Sequence, residues 1–137
     1  MKKILLDTNI ILDIGLKREP HFVDSAKLIK KLDDKNIVAF VTATTITDIY
    51  YISKKAKNHN TAIQFIRNLL QVVEILGVNK ETILLSLQSE LPDFEDAIQI
   101  NSAEMNGIKT IITRNKKDFI NVDQEIMTPG DFLATLK

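Results

Sequence analysis

The chain contains no cysteine, which excludes disulfides and thiolate metal ligands and makes a reducing cytoplasm the expected home. Histidine is almost as scarce. His21 and His59 stand in no metal-ligand spacing, so zinc chemistry is not expected and both read as surface residues. Three prolines and four glycines argue against a disordered chain and for a compact, helix-rich one. Neither sign of charge is in excess, with 18 Lys and Arg against 18 Asp and Glu, so a polyanion must be met by local basic clusters. Long apolar runs are also missing: Asp7, Asn9 and Asp13 interrupt the first one, which fits neither a signal peptide nor a membrane span. The expectation is a soluble protein of one domain, residues 1–137, long enough to bury its own core.

What is present is an alternation of strand-length and helix-length periods. Lys3-Ile4-Leu5-Leu6 reads as a buried strand that stops on Asp7, with Thr8 or Asn9 available to cap the helix opened by Ile10-Ile11-Leu12. A loop from Gly15 to Pro20 leads to a helix over 21–34, with Phe22, Ala26, Ile29 and Leu32 on one face. Ile37 to Val41 is a second strand, apolar throughout as in a parallel sheet covered on both faces. Thr42, Thr44 and Thr45 offer capping hydroxyls to a helix carrying Asp48 and ending in Lys54 and Lys55, and a further amphipathic helix runs from Thr61 to Leu70. Val72 to Leu76 is a third strand. The next helix spans 80–91, its Ile83, Leu84, Leu87 and Leu91 expected inward, and stops at Pro92. An acid-rich opening, Asp93-Phe94-Glu95-Asp96, starts a helix closed by Gly107; strands follow at 109–113 and around Ile126, then a terminal helix. Strands separated by helices imply an α/β fold with a parallel sheet of four to five strands.

In such a sheet the carboxyl ends of the strands open onto the crevice where ligands bind. Four places put acids or amides there: Asp7 with Asn9, Asp48, Asp93 with Asp96, and Asn115 with Asp118. Asp93 and Asp96 are three residues apart and share one helix face. Carboxylates crowded together raise one another's pKa unless a cation neutralises them, and an all-oxygen donor set suits Mg²⁺ or Mn²⁺. A hard divalent ion that lowers the pKa of bound water and neutralises a leaving oxygen hydrolyses phosphodiesters.

The segments LLDTNIILD, TATTITDIYYI, DFEDAIQINSA and IITRNKKDF, in that order, resemble the PIN domain family, in particular the toxin-like, metal-dependent ribonucleases of prokaryotic toxin–antitoxin pairs. The resemblance implies a three-layer α/β/α fold and an acidic Mg²⁺ or Mn²⁺ site that cuts RNA. By motif it makes Asp7, Asp48, Asp96, Asn115 and Asp118 the catalytic set, with Asp7, Asp96 and Asp93 toward the metal. Asp48 stands where the family most often has Glu, and Asn115 where many members have Asp, so the site loses reach at one position and charge at the other. The resemblance further implies a homodimer and an inhibitory antitoxin. Asn9, Arg114 and Lys116 are the expected substrate contacts, the two cations flanking the fourth motif where a phosphate would pass.

Each acid also has a plainer explanation: Asp7-Thr8-Asn9 as a helix cap, Asp93 and Glu95 as first-turn charges, Asp118 as a surface partner of Lys116 or Lys117. Tyr50 and Tyr51 read as core before they read as base-stacking platforms. Two other functions compete. One is a catalytically silent PIN-like module that binds RNA or protein; the other is a phosphoryl-transfer domain of the haloacid dehalogenase or receiver type, disfavoured by Asn9 where the former wants a second Asp.

Overall fold

The computed structural model describes residues 2–34 and 36–136, apart from the side chain of Asp34. Among these residues five strands, β1 (Lys2–Leu6), β2 (Ile37–Thr42), β3 (Val73–Leu76), β4 (Thr110–Ile112) and β5 (Glu125–Met127), form one sheet in the order β3-β2-β1-β4-β5. Every pairing is parallel, with β1 central between β2 and β4. Ile4 and Leu6 point into one core and Leu5 into the other, the period of two expected of a strand covered on both faces.

The first core takes apolar residues from α1 (Thr8–Gly15), α2 (Phe22–Asp34), α3 (Ala43–Ala56) and α4 (His59–Leu69), and closes on Phe132 of α7 (Pro129–Ala134). The second is smaller and holds Ala103 of α6 (Phe94–Met105) against Leu5 and Ile111. Helices on both faces of a parallel sheet make the expected three-layer α/β/α arrangement. Gly107 ends α6 with φ +67, the left-handed conformation in which a Cβ is strained.

Helix α5 (Lys80–Leu87) departs from the expectation. It is shorter than the range 80–91, and the face turned inward is Thr82 and Ser86, while Ile83, Leu84 and Leu87 are exposed. Polar contacts to α6 go with this orientation: Asn101 Nδ2 donates to Ser86 Oγ at 3.0 Å, and Thr82 Oγ1 donates to Met105 Sδ at 3.4 Å. The small hydroxyl residues let α5 lie against α6, where leucines would hold it away. In α2 the buried residues are Ser25, Leu28 and Leu32, with Phe22 and Ala26 at the margin, so the inward face lies slightly off the one the period suggested. Tyr51 is exposed and outside the core; Tyr50 packs edge-on against it and meets His59 at 2.9 Å.

Candidate active site at the carboxyl edge of the sheet

Asp7 leaves the end of β1 and occupies the residue before α1, yet its carboxylate makes no capping bond to that helix. Both oxygens are engaged by distant parts of the chain. Gln99 Nε2 donates to Oδ1 at 3.1 Å and Thr113 Oγ1 donates to Oδ2 at 2.7 Å. Thr8 and Asn9 lie inside the helix, so the expectation that one of them caps it is corrected. Thr8 is used otherwise: its hydroxyl donates to Glu95 Oε1 at 2.9 Å. A buried carboxylate held by two side chains is positioned, not merely tolerated.

The strands on either side deliver the rest. Asn115 and Asp118 follow β4, Asp48 comes from the second turn of α3 after β2, and Asp93 and Asp96 from the start of α6. These five, with Asp7 and Asn9, line one cavity of about 390 Å³, so every acid and amide singled out above reaches the same volume. Leu12 and Ile52 form its apolar walls. Asp93 also caps α6, accepting from Asp96 N at 2.9 Å, so it has a structural role as the N-cap, one residue ahead of the first turn where the plainer reading set it, alongside its place in the cavity.

Arg114 and Lys116 are placed elsewhere. Arg114 Nε donates to Asp13 Oδ2 at 2.8 Å, and Lys116 Nζ lies 3.3 Å from Asp131 Oδ2, so neither cation lines the cavity. Conversely, Glu95 enters the cavity although its sequence position marked it only as a first-turn charge. No local signal could have found it, because its partners Thr8 and Asp48 belong to other helices.

Electrostatics in the cavity follow from crowding. Burial, then a hydrogen bond shared with Asp48, pushes Glu95 up to about 8 against a lowering contribution from Thr8. Burial, then the charges of Asp7, Asp93 and Asp118, pushes Asp96 up to about 7. Both carboxyls thus bind protons more tightly folded than unfolded, and without a cation stability falls as pH rises from their ordinary range toward about 8. A melting curve in chelator is expected to drop by several degrees between about pH 5 and about pH 8, and Glu95→Gln to remove much of that drop. A flat profile in the wild type would refute the crowding.

The donor set fits a hard divalent cation. It is all oxygen and carries unneutralised negative charge. Among the described residues no three His, Cys, Asp or Glu side chains form a ready-made cage, so such an ion would complete its shell with water, as Mg²⁺ does.

A parallel sheet between two helical layers, with acids from separate segments gathered at its carboxyl edge, concentrates negative charge at that rim. The PIN domain model matches residues 3–117, and the chain belongs to the PIN domain family. Solved structures of similar fold include VapBC-1 from nontypeable Haemophilus influenzae, 21% identical with a TM-score of 0.70 over 93% of this chain and 98% of that one. A toxin–antitoxin complex from Klebsiella pneumoniae is 23% identical, with a TM-score of 0.68 over 92% and 97%. VapC20 of Mycobacterium tuberculosis, described as a Sarcin-Ricin loop cleaving toxin, is 15% identical, with a TM-score of 0.65 over 79% and 86%. Comparison with curated proteins gave no match.

Proposed function

We propose that residues 1–137 act as one PIN domain that hydrolyses RNA phosphodiester bonds with Mg²⁺ or Mn²⁺, as the toxin of a type II toxin–antitoxin pair. The observation that carries this reading is the convergence of Asp7, Asp48, Asp93, Asp96 and Asp118 on one cavity at the carboxyl edge of the sheet. Similarity in fold to VapBC-1 and to the Klebsiella toxin–antitoxin complex supports an antitoxin partner. Among the described residues no helix is long and apolar enough to cross a membrane. An RNA substrate places the activity in the cytoplasm. A homodimer is the expected assembly.

In this reading Asp7, Asp96 and Asp93 hold the cation, which when bound supplies an activated water and neutralises charge on the departing oxygen. Gln99 and Thr113 fix the direction of the Asp7 carboxylate, so its approach to the ligand is set before substrate arrives. Burial and the neighbouring Asp48 keep Glu95 protonated at neutral pH in the metal-free protein, which makes it the group best suited to give up or take back a proton at its carboxyl. Asp118 adds negative charge to the same volume, and Asn115, neutral, offers a carbonyl oxygen to a water or ligand. Asn9 is retained as a substrate contact. Arg114 and Lys116 are withdrawn from that role because each is engaged with a carboxylate outside the cavity.

Calorimetric titration with Mn²⁺ run beside an RNA cleavage assay tests the proposal. Expected are saturable binding and metal-dependent cleavage abolished by chelator. Absence of both would favour a silent RNA- or protein-binding module, and release of phosphate from small phosphoesters would favour a phosphoryl-transfer domain.

A further inference from the structure

Beside the acidic cavity lies a second and larger one, of about 570 Å³, of opposite character. The two adjoin along the groove between α1 and α3: Leu12 and Ile52 line the first, and Leu16, one turn on, and Ser53, the next residue, line the second. From Asp48 to Lys57 along α3 is about 13 Å, the reach of a short stretch of single strand.

Its lining combines an aromatic floor with a polar rim. Phe65 of α4 is half-buried and its ring lies against the α1 backbone at Gly15, where a Cβ would come within 2.7 Å of it. Around it Asn60, Gln64 and Asn68 recur at four-residue intervals on one face of α4, and Gln64 Nε2 donates to Asn68 Oδ1 at 3.0 Å. Lys57 supplies a cation, and among the described residues no carboxylate lines this cavity. The cavities on the other side of α6, by contrast, carry an excess of acids: Glu90, Glu104 and Asp123 in one, and Glu104, Asp123 and Glu125 against the cation Lys109 in the other. A strand of phosphates leaving the acidic site therefore meets repulsion on that side and an attractive, amide-rimmed pocket on this one.

We propose that the α1/α3/α4 cavity is a nucleotide subsite that takes a base of single-stranded RNA flanking the scissile bond. The base packs on the apolar floor at Phe65, side-chain amides of Asn60 and Gln64 meet its edge, and Lys57 meets a phosphate. The volume suits one nucleotide and lies in the range of ligand pockets. Amides supply both donors and acceptors, so this cavity reads bases while the acidic one cuts. The inference rests on the ribonuclease reading for its substrate class.

The test is fluorescence anisotropy of a labelled single-stranded RNA of about ten nucleotides, with and without Mg²⁺, beside cleavage kinetics on the same RNA. Lys57→Glu and the double variant Asn60→Ala, Gln64→Ala each alter exposed side chains that the fold does not need. Lys30→Glu, an exposed lysine of α2, controls for general loss of positive charge. Expected is an affinity about tenfold weaker in both cavity variants than in the control, raised KM with kcat retained, and for Lys57→Glu a salt dependence reduced by about one phosphate contact. Affinity equal to that of the control would overturn the subsite and leave the cavity to a protein segment. Wild-type protein that binds the RNA through these residues without cleaving it would remove the nuclease reading alone; intact cleavage with unaltered affinity would remove the subsite alone.

Discussion

Asp7→Asn and Asp96→Asn are each expected to reduce RNA cleavage at least about a hundredfold, a loss of about 2.7 kcal/mol of transition-state stabilisation, while the melting temperature stays level or rises. The two effects have separate origins. Activity falls because both residues face the volume where negative charge is gathered for the ligand. Stability does not, because Asp96 is held at about 7 by burial and by the charges of Asp7, Asp93 and Asp118, so an amide removes a repulsion from the folded state. At position 7 the amide can also be accommodated. The Thr113 hydroxyl can turn from donor to acceptor, and the Gln99 side chain can rotate because its Oε1 meets no partner among the described residues. Cleavage that survives both substitutions would defeat the site assignment, and a collapse of the melting temperature would show that the acids are structural.

Arg114→Met is expected to cost stability and not RNA affinity. Asp13 is fully buried, and its charge is met by Arg114 Nε at 2.8 Å and, more loosely, by Arg18 Nη1 at 3.8 Å. Methionine keeps the apolar stem of Arg114 but leaves a buried carboxylate with the weaker partner alone. Breaking such a pair typically costs about 3–5 kcal/mol, a large part of the roughly 5–15 kcal/mol that holds a domain of this size folded. Chemical denaturation measures it, and the double variant with Asp13→Asn is expected to recover most of the loss, because no charge is then stranded. If denaturation is unaffected while RNA binding weakens, Arg114 belongs to the substrate surface after all.

The first two strands were legible because each is built on a short apolar run bounded by polar residues, and the parallel sheet because helices separate most of the strands. The convergence of the candidate residues was legible to the same extent: Asp7, Asn115 and Asp118 follow strand ends, and Asp48 and Asp96 lie in the first two turns of helices, where a parallel sheet presents them to one rim. Helix α5 turns inward a different face from the one its apolar residues suggest. Its leucines are more numerous than its hydroxyls, and counting apolar residues selects the wrong face when close approach and hydrogen bonding to α6 require small polar ones.

By itself the amino-acid sequence determined the order of the elements, their pairing sense and the chemical type of the donors, because these depend on local period and on the residue ending each strand. Only the tertiary structure decided which group each of those side chains meets. Gln99 and Thr113 reach Asp7 across 92 and 106 residues, and Arg114 reaches Asp13 across 101. It also made Glu95 a member of the acidic cavity and turned Arg114 away from it. Charge and hydrogen bonding act over a few ångströms of space, and separation along the chain carries no record of that distance.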